Sequence, residues 1–197
     1  LLKQLSGLEK PTEGKLLYDE NQFKTSILGK IKSPDDIKFV SISSDKNNES
    51  VSRFFKSRHS KRSEEIRKQY FNNGFKRYMW DQSIDTLSQG ELMWIKLVDA
   101  VESDPRVLII ENYGVMLDDE LEKDISRRLR RMNRNLGTTI IMSATNPVRL
   151  QKLVSVMIFL DNGHIAKIRS GNQSRNSPRN QGRSQNNRKQ QHRRNQK

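Results

Sequence analysis

Two polar clusters in this chain hold the residue types that chemistry needs. In the first, Ser88, Gln89, Gly90 and Glu91 stand at the head of an amphipathic run. In the second, a carboxylate and a carboxamide, Glu111 and Asn112, close a short apolar run at 107–110. Ser88 with Glu91 three residues on is a capping box: the serine oxygen accepts from free helical N–H groups and the glutamate reaches back to the serine N–H. Gly90 in that first turn lets another group approach the backbone closely. The second cluster follows a strand, and in open α/β sheets ligands bind beyond the carboxyl ends of strands, so Glu111 and Asn112 are placed for a site. The plainer reading of this pair is a polar strand end at the surface.

The elements that position these groups can be read from spacing. Leu92, Ile95, Val98 and Val101 recur at helical intervals and predict one buried face. Asp104-Pro105 ends that helix, because the residue before a proline is pushed out of the α region. The apolar 107–110 run reads as a strand of a parallel sheet covered on both faces.

This ordered set resembles the core of the ATP-binding cassette (ABC) ATPases. Leu87-Ser88-Gln89-Gly90-Glu91 is similar to the family's LSGGQ or LSGGE signature. The 107–112 segment resembles Walker B, four apolar residues followed by Asp-Glu, and Leu117-Asp118 falls at the D-loop. The resemblance implies an α/β fold: a partial P-loop NTPase-like ABC core with a small helical subdomain. It implies ATP and Mg²⁺ as cofactors, a second ABC ATPase subunit as partner in a homo- or heterodimer, and transmembrane transporter subunits. It also implies a cytoplasmic position, peripheral at the inner face of a membrane. Residues 87–91 and Asp118 are then the nucleotide-binding positions, offered to the partner's phosphate by N–H groups at a helix start.

The same resemblance has departures. Gln89 replaces a glycine. Glu111 takes the metal position with one methylene more than aspartate, and Mg²⁺ demands tight octahedral geometry. Asn112 takes the general-base position, where a carboxamide cannot accept a proton as a carboxylate does. Thr145 takes the place of the H-loop histidine, and Ile42 or Ser43 that of the Q-loop glutamine. His164 cannot substitute, since it falls in a later hairpin. No G-x-x-x-x-G-K-[ST] phosphate loop occurs in the 197 residues. The opening, Leu1-Leu2 through a Gly7 stop to a Pro-Thr-Glu-Gly turn, resembles the helix and turn that come directly after that loop in the family, so the chain is expected to begin just after its own P-loop. These departures together imply a catalytically degenerate cassette.

The remaining pattern is coarser. The chain holds no cysteine, so no disulfide or cysteine–metal framework is available. No apolar run approaches the roughly 18 residues that span a bilayer. Strands are expected at 15–18 and 37–42. The basic, aromatic stretch 51–80 reads as a helical lobe with an aromatic core, weighed against an RNA-binding surface. A helix is expected over 118–135, with Leu117, Leu121, Ile125, Leu129 and Met132 as its apolar stripe; its acid-to-base order matches the helix dipole, so its arginines read as a solvated face that needs no nucleic acid. A buried strand at 138–142, a short helix at 148–154 and a hairpin around Asp161-Asn162-Gly163 complete the domain. The formal net charge is +14, and nine basic residues with no acid fall in 169–197, leaving +5 for the rest. The domain is accordingly placed at 1–168, with its helical subdomain at about 48–103, and 169–197 is expected to be a disordered basic tail. Such a tail can bind RNA or an anionic membrane surface, or simply solvate the chain.

Overall fold

A computed structural model describes residues 1–24, 26, 31–42 and 48–171. Of the tail expected at 169–197, residues 172–197 lie outside the described residues, as do Ser43 and most of the polar loop expected after the 37–42 strand; Arg169 and Ser170 instead belong to the last strand, which pairs them with Met157 and Val156.

The chain opens with a short helix, α1 (Leu2–Leu5), closed by Gly7 in the left-handed region at φ 76°. A side chain there would meet the Phe23 ring, with an added Cβ 2.7 Å from it. The minimal hairpin β1 (Leu17–Tyr18) and β2 (Asn21–Gln22) follows. The central sheet is β3 (Ile37–Val40), β4 (Val107–Ile110) and β5 (Thr139–Met142), parallel and in that order. Val40, Ile110 and Met142 end the three strands abreast.

Between β3 and β4 the chain builds α2 (Val51–Arg58), α3 (Ser63–Tyr70), α4 (Lys76–Met79) and the long α5 (Gln89–Glu102). The aromatics of this stretch are mostly core: Phe55, Tyr70, Phe71 and Trp80 are buried, while Tyr78 is exposed. Phe71 meets Trp80 and Trp94 at centroid distances of 4.9 and 5.3 Å, and Phe55 stacks on Trp80. Two buried polar links tie the lobe to α5. His59 Nε2 lies 2.8 Å from Asp99 Oδ1, and the Tyr70 hydroxyl donates to Glu102 at 2.5 Å. Burial, and then the Glu102 contact, push the Tyr70 hydroxyl pKa upward.

The expected apolar face of α5 is too narrow. Met93, Trp94, Ile95, Leu97, Val98, Asp99 and Ala100 are all buried, and Leu92 and Val101 only flank them. The reason is tertiary: α5 is covered by the helical lobe on one side and by the sheet and α6 on the other, so a single stripe cannot describe it.

After β4 comes α6 (Asp119–Arg131), whose Leu121, Ile125 and Leu129 stripe is buried. It does not run as α-helix to Asn135. Met132–Leu136 forms a π-helical turn, and Gly137 at φ 74° ends it. The expected buried strand after it is half-exposed instead: β5 is a sheet edge among the described residues, with Thr139 exposed and Ile140 to Met142 partly covered. A short α7 (Pro147–Gln151) leads to the antiparallel hairpin β6 (Val156–Asp161) and β7 (His164–Ser170). Asn162 and Gly163 take φ 45° and 81°, as a primed two-residue turn requires. One face of this hairpin stays bare: Val156, Ile158, Leu160, Ile165 and Ile168 are each more than half exposed.

Candidate functional site

The first polar cluster is fully built. Ser88 is the N-cap of α5, and Glu91 N–H donates to its hydroxyl oxygen at 3.2 Å. Ser88 donates its own N–H and hydroxyl to Glu91 Oε2 at 2.8 and 2.7 Å. The box is thus reciprocal, as the spacing predicts. Leu87 is half-buried against the core, while Gln89 projects from the first turn exposed. Gly90 has a reason in this chain's own packing. A Cβ there would sit 2.3 Å from the Met116 carbonyl oxygen, in the loop that follows β4. The two motifs therefore approach each other backbone to backbone. The loop closes at Asp118, whose carboxylate accepts from Leu121 N–H at 2.8 Å and caps α6.

The second cluster lies beyond the carboxyl ends of the sheet, where α/β ligands bind. The Glu111 N–H donates to Val40 carbonyl at 2.8 Å, and the residue is half-buried. Asn112 is exposed and left-handed at φ 55°, a conformation asparagine tolerates better than most side chains. Tyr113 and Gly114 carry the chain round to Val115, whose N–H faces the Asn112 carbonyl. Thr145 is exposed beyond β5, and Asn146 beside it caps α7 by accepting from Val148 N–H at 3.0 Å. Ile42 is half-buried beyond β3. Register brings the ends of the three strands abreast, so Ile42, Glu111, Asn112 and Thr145 all follow strands that end at the same edge.

Sequence reasoning passed over two features of this edge. Ser143 ties β5 to the site: its hydroxyl accepts from Asn112 N–H at 3.0 Å and its carbonyl from Tyr113 N–H at 2.8 Å. A serine one residue past an apolar run carries no motif, so only the pairing of β4 with β5 reveals it. Second, Tyr113 is buried with a hydroxyl that finds no hydrogen-bond partner among the described residues. Burial, then the nearby Glu122 carboxylate, push its pKa up. Glu122 in α6 pairs with Arg149 in α7, which also packs against Gly114. A separate cavity of about 330 Å³, lined by Asp19, Arg106 and Thr139 among others, lies at the opposite edge, beneath the strand starts.

The donor set does not make a complete ATP and Mg²⁺ site. Among the described residues no three His, Cys, Asp or Glu side chains converge to hold a metal. Glu111 is a lone carboxylate, Asn112 has no proton-accepting oxyanion, and the sequence supplies no phosphate loop. The start of α5 is a corner of another kind, the head of a 14-residue helix with an intact Ser88–Glu91 cap and Gly90 in its first turn.

Comparison with known proteins agrees with this layout. A family model described as ABC transporter matches residues 1–112. The spermidine/putrescine import ATP-binding protein PotA of Bacillus thuringiensis is 29% identical over 93 residues, covering 47% of this chain and 28% of that protein. PotA of Clostridium novyi is 27% identical over 51% of this chain and 29% of its own length. The chain thus spans under a third of the curated relatives it matches. Among solved structures, the ATP-binding cassette MJ0796, in a dimeric post-hydrolysis state with ADP and Pi, superposes with a TM-score of 0.66 at 17% identity, covering 86% of this chain and 78% of that one. CbiO1 of Clostridium perfringens, part of the transporter complex CbiONQ, gives 0.61 at 22% identity over 86% and 70%. Those likenesses establish the fold, and with the family match over more than half its length the chain belongs to the ABC transporter ATPase family.

Proposed function

We propose that the chain is an ATP-binding subunit of an ABC transporter that serves a partner's nucleotide site and is catalytically degenerate in its own. The observation that carries this is the contrast between an intact capping box at Ser88, close to Met116 at Gly90, and a strand end holding Asn112 and Thr145 in place of a base and a histidine. Ser88, Gln89 and Gly90 head the helix that would face the partner's γ-phosphate, with Asp118 shaping the loop beside it. Glu111 would order Mg²⁺ only if a P-loop upstream of Leu1 held the nucleotide. The subunit would act at the inner face of a membrane, docked on transmembrane subunits. No described helix is long and apolar enough to cross a membrane.

The test begins with the intact mass and N-terminus of the native protein, followed by ATP turnover alone and beside an active cassette. The expected result is background turnover alone and partner turnover that drops at least tenfold on Ser88→Ala while circular dichroism is kept. Turnover by this chain alone, or pair turnover indifferent to Ser88, would sink the reading.

A second reading rests on charge. Residues 169–197 carry nine basic side chains and no acid. They suit RNA or an anionic membrane surface, as a non-transport ABC protein acting on nucleic acid or ribosomes would need. That reading expects salt-dependent binding that disappears with the tail.

A further inference from the structure

The arginines of α6 divide into two sets. Arg128 is spent on the fold: its guanidinium lies 3.8 Å from the Tyr70 ring centroid and 3.4 Å from Asp124. Lys123, Arg127, Arg130, Arg131 and Arg134 are all exposed, and no ion pair or hydrogen bond to their side chains occurs among the described residues. Relative to the buried Leu121, Ile125 and Leu129, the 3.6-residue period puts Lys123, Arg127 and Arg130 on the opposite, solvent face, with Arg131 on its flank. The π-turn carries the line on to Arg134.

The acids of the helix do not neutralise this face. Glu122 is paired with Arg149, and Asp124 lies between Lys76 and Arg128 at 3.5 and 3.4 Å. Glu120 leans towards Lys76 at 4.0 Å, Asp118 is spent on the cap, and Asp119, one turn before Lys123 on the same face, lies away from Arg127, Arg130 and Arg134. The helix dipole favours cations only in the last turn. It leaves Lys123 and Arg127 unexplained.

We propose that the solvent face of α6, with its π-turn, is a docking stripe for the phosphate backbone of a nucleic acid. From Lys123 to Arg134 the stripe runs roughly 16 Å at 1.5 Å per residue. One strand of a duplex carries a charge every 3.4 Å or so along the duplex axis and winds as it rises, so a straight stripe of that length meets a few of its phosphates. Four of the five cations are arginines, whose planar forks match phosphate oxygens. A bilayer surface fits less well, because the apolar side of α6 is buried in the core and cannot enter lipid. The stripe lies on the folded domain, so it stands or falls independently of the 172–197 segment.

The test uses the full chain and a short mixed-sequence DNA duplex, with binding followed by fluorescence anisotropy across a salt series. Arg127→Gln/Arg130→Gln/Arg131→Gln should weaken binding to every sequence alike. It should also lower the salt slope by about 3, at roughly 0.9 per lost phosphate contact. The matching Arg→Lys triple variant should keep most of the slope, which separates lost charge from damaged fold. An unchanged slope in the glutamine variant would overturn the stripe and leave binding to other basic segments. Loss of binding to phosphatidylserine vesicles with duplex binding intact would also overturn it, in favour of a lipid surface.

Discussion

The start of α5 and the end of β4 sit on either side of one loop and have met opposite fates. At the start of α5 the cap is complete: reciprocal Ser88–Glu91 bonds and a glycine where the Met116 carbonyl leaves no room for a side chain. At the end of β4 the backbone is equally well tied, and the side chains there are one carboxylate, Glu111, and one carboxamide, Asn112. Ser143 accepts from Asn112 N–H, and strand register sets the ends of β4 and β5 side by side. In the proposed function, the base and histidine positions hold a carboxamide, Asn112, and a hydroxyl, Thr145. A corner that presents N–H groups to another molecule depends on backbone shape alone. A corner that moves protons depends on particular side chains, and those can be lost while the fold stands.

The largest way to break this contrast is Gly90→Ala. Its Cβ would meet a backbone oxygen at 2.3 Å, so the helix start and the loop must separate. A loss of about 3 kcal/mol in urea unfolding is expected, at the top of the usual overpacking range. Ser88→Ala removes only the cap and should cost about 1 kcal/mol. At the other corner, Asn112 holds φ 55°, so Asn112→Ala should cost about 1 kcal/mol and Asn112→Gly almost nothing. Asn112→Glu should cost about the same 1 kcal/mol as alanine, which makes restoration of the base a trade against stability. If Asn112→Ala proves neutral, the residue is not held by its turn and the contrast fails.

The smallest effect is expected at Tyr113→Phe. The lost hydroxyl has no partner among the described residues, so stability near neutral pH should hardly change. High pH sharpens the comparison. The folded-state pKa values of Tyr70 and Tyr113 lie above the unfolded value of 10.0. The unfolded chain therefore releases those protons first, and stability is kept below about pH 10 and lost as pH rises further. A urea midpoint series should show this fall, shallower in Tyr113→Phe. An equal fall in both proteins would mean that Tyr113 is not shielded.

Much of this was readable in the sequence, for local reasons. The Ser88–Glu91 box, the α6 stripe and the Asn162-Gly163 turn each depend on residues within one or two turns of each other. What escaped was tertiary. The buried surface of α5 is wider than its periodicity suggests, because two layers cover it. β5 is half-exposed because it is an edge among the described residues, which its apolar sequence cannot convey. The role of Ser143 depends on which strand lies beside β4, and the left-handed turn at Asn112 on what that neighbour holds. The shared edge of Glu111, Asn112 and Thr145 came from the family resemblance and parallel strand order. Their chemical roles are a matter for the turnover experiments.

The bare face of the β6–β7 hairpin has a colloidal consequence. Five aliphatic side chains there stand more than half exposed on a chain that carries a formal +14. In dilute salt, like charge keeps molecules apart before these faces can meet. At 1 M salt the Debye length shrinks to about 3 Å, so that repulsion fades while the apolar attraction persists. The isolated chain is then a particle whose second virial coefficient turns from positive to negative as salt is added, and static light scattering would record the crossing. A buffer chosen to suppress binding to polyanions would therefore be the one that favours self-association.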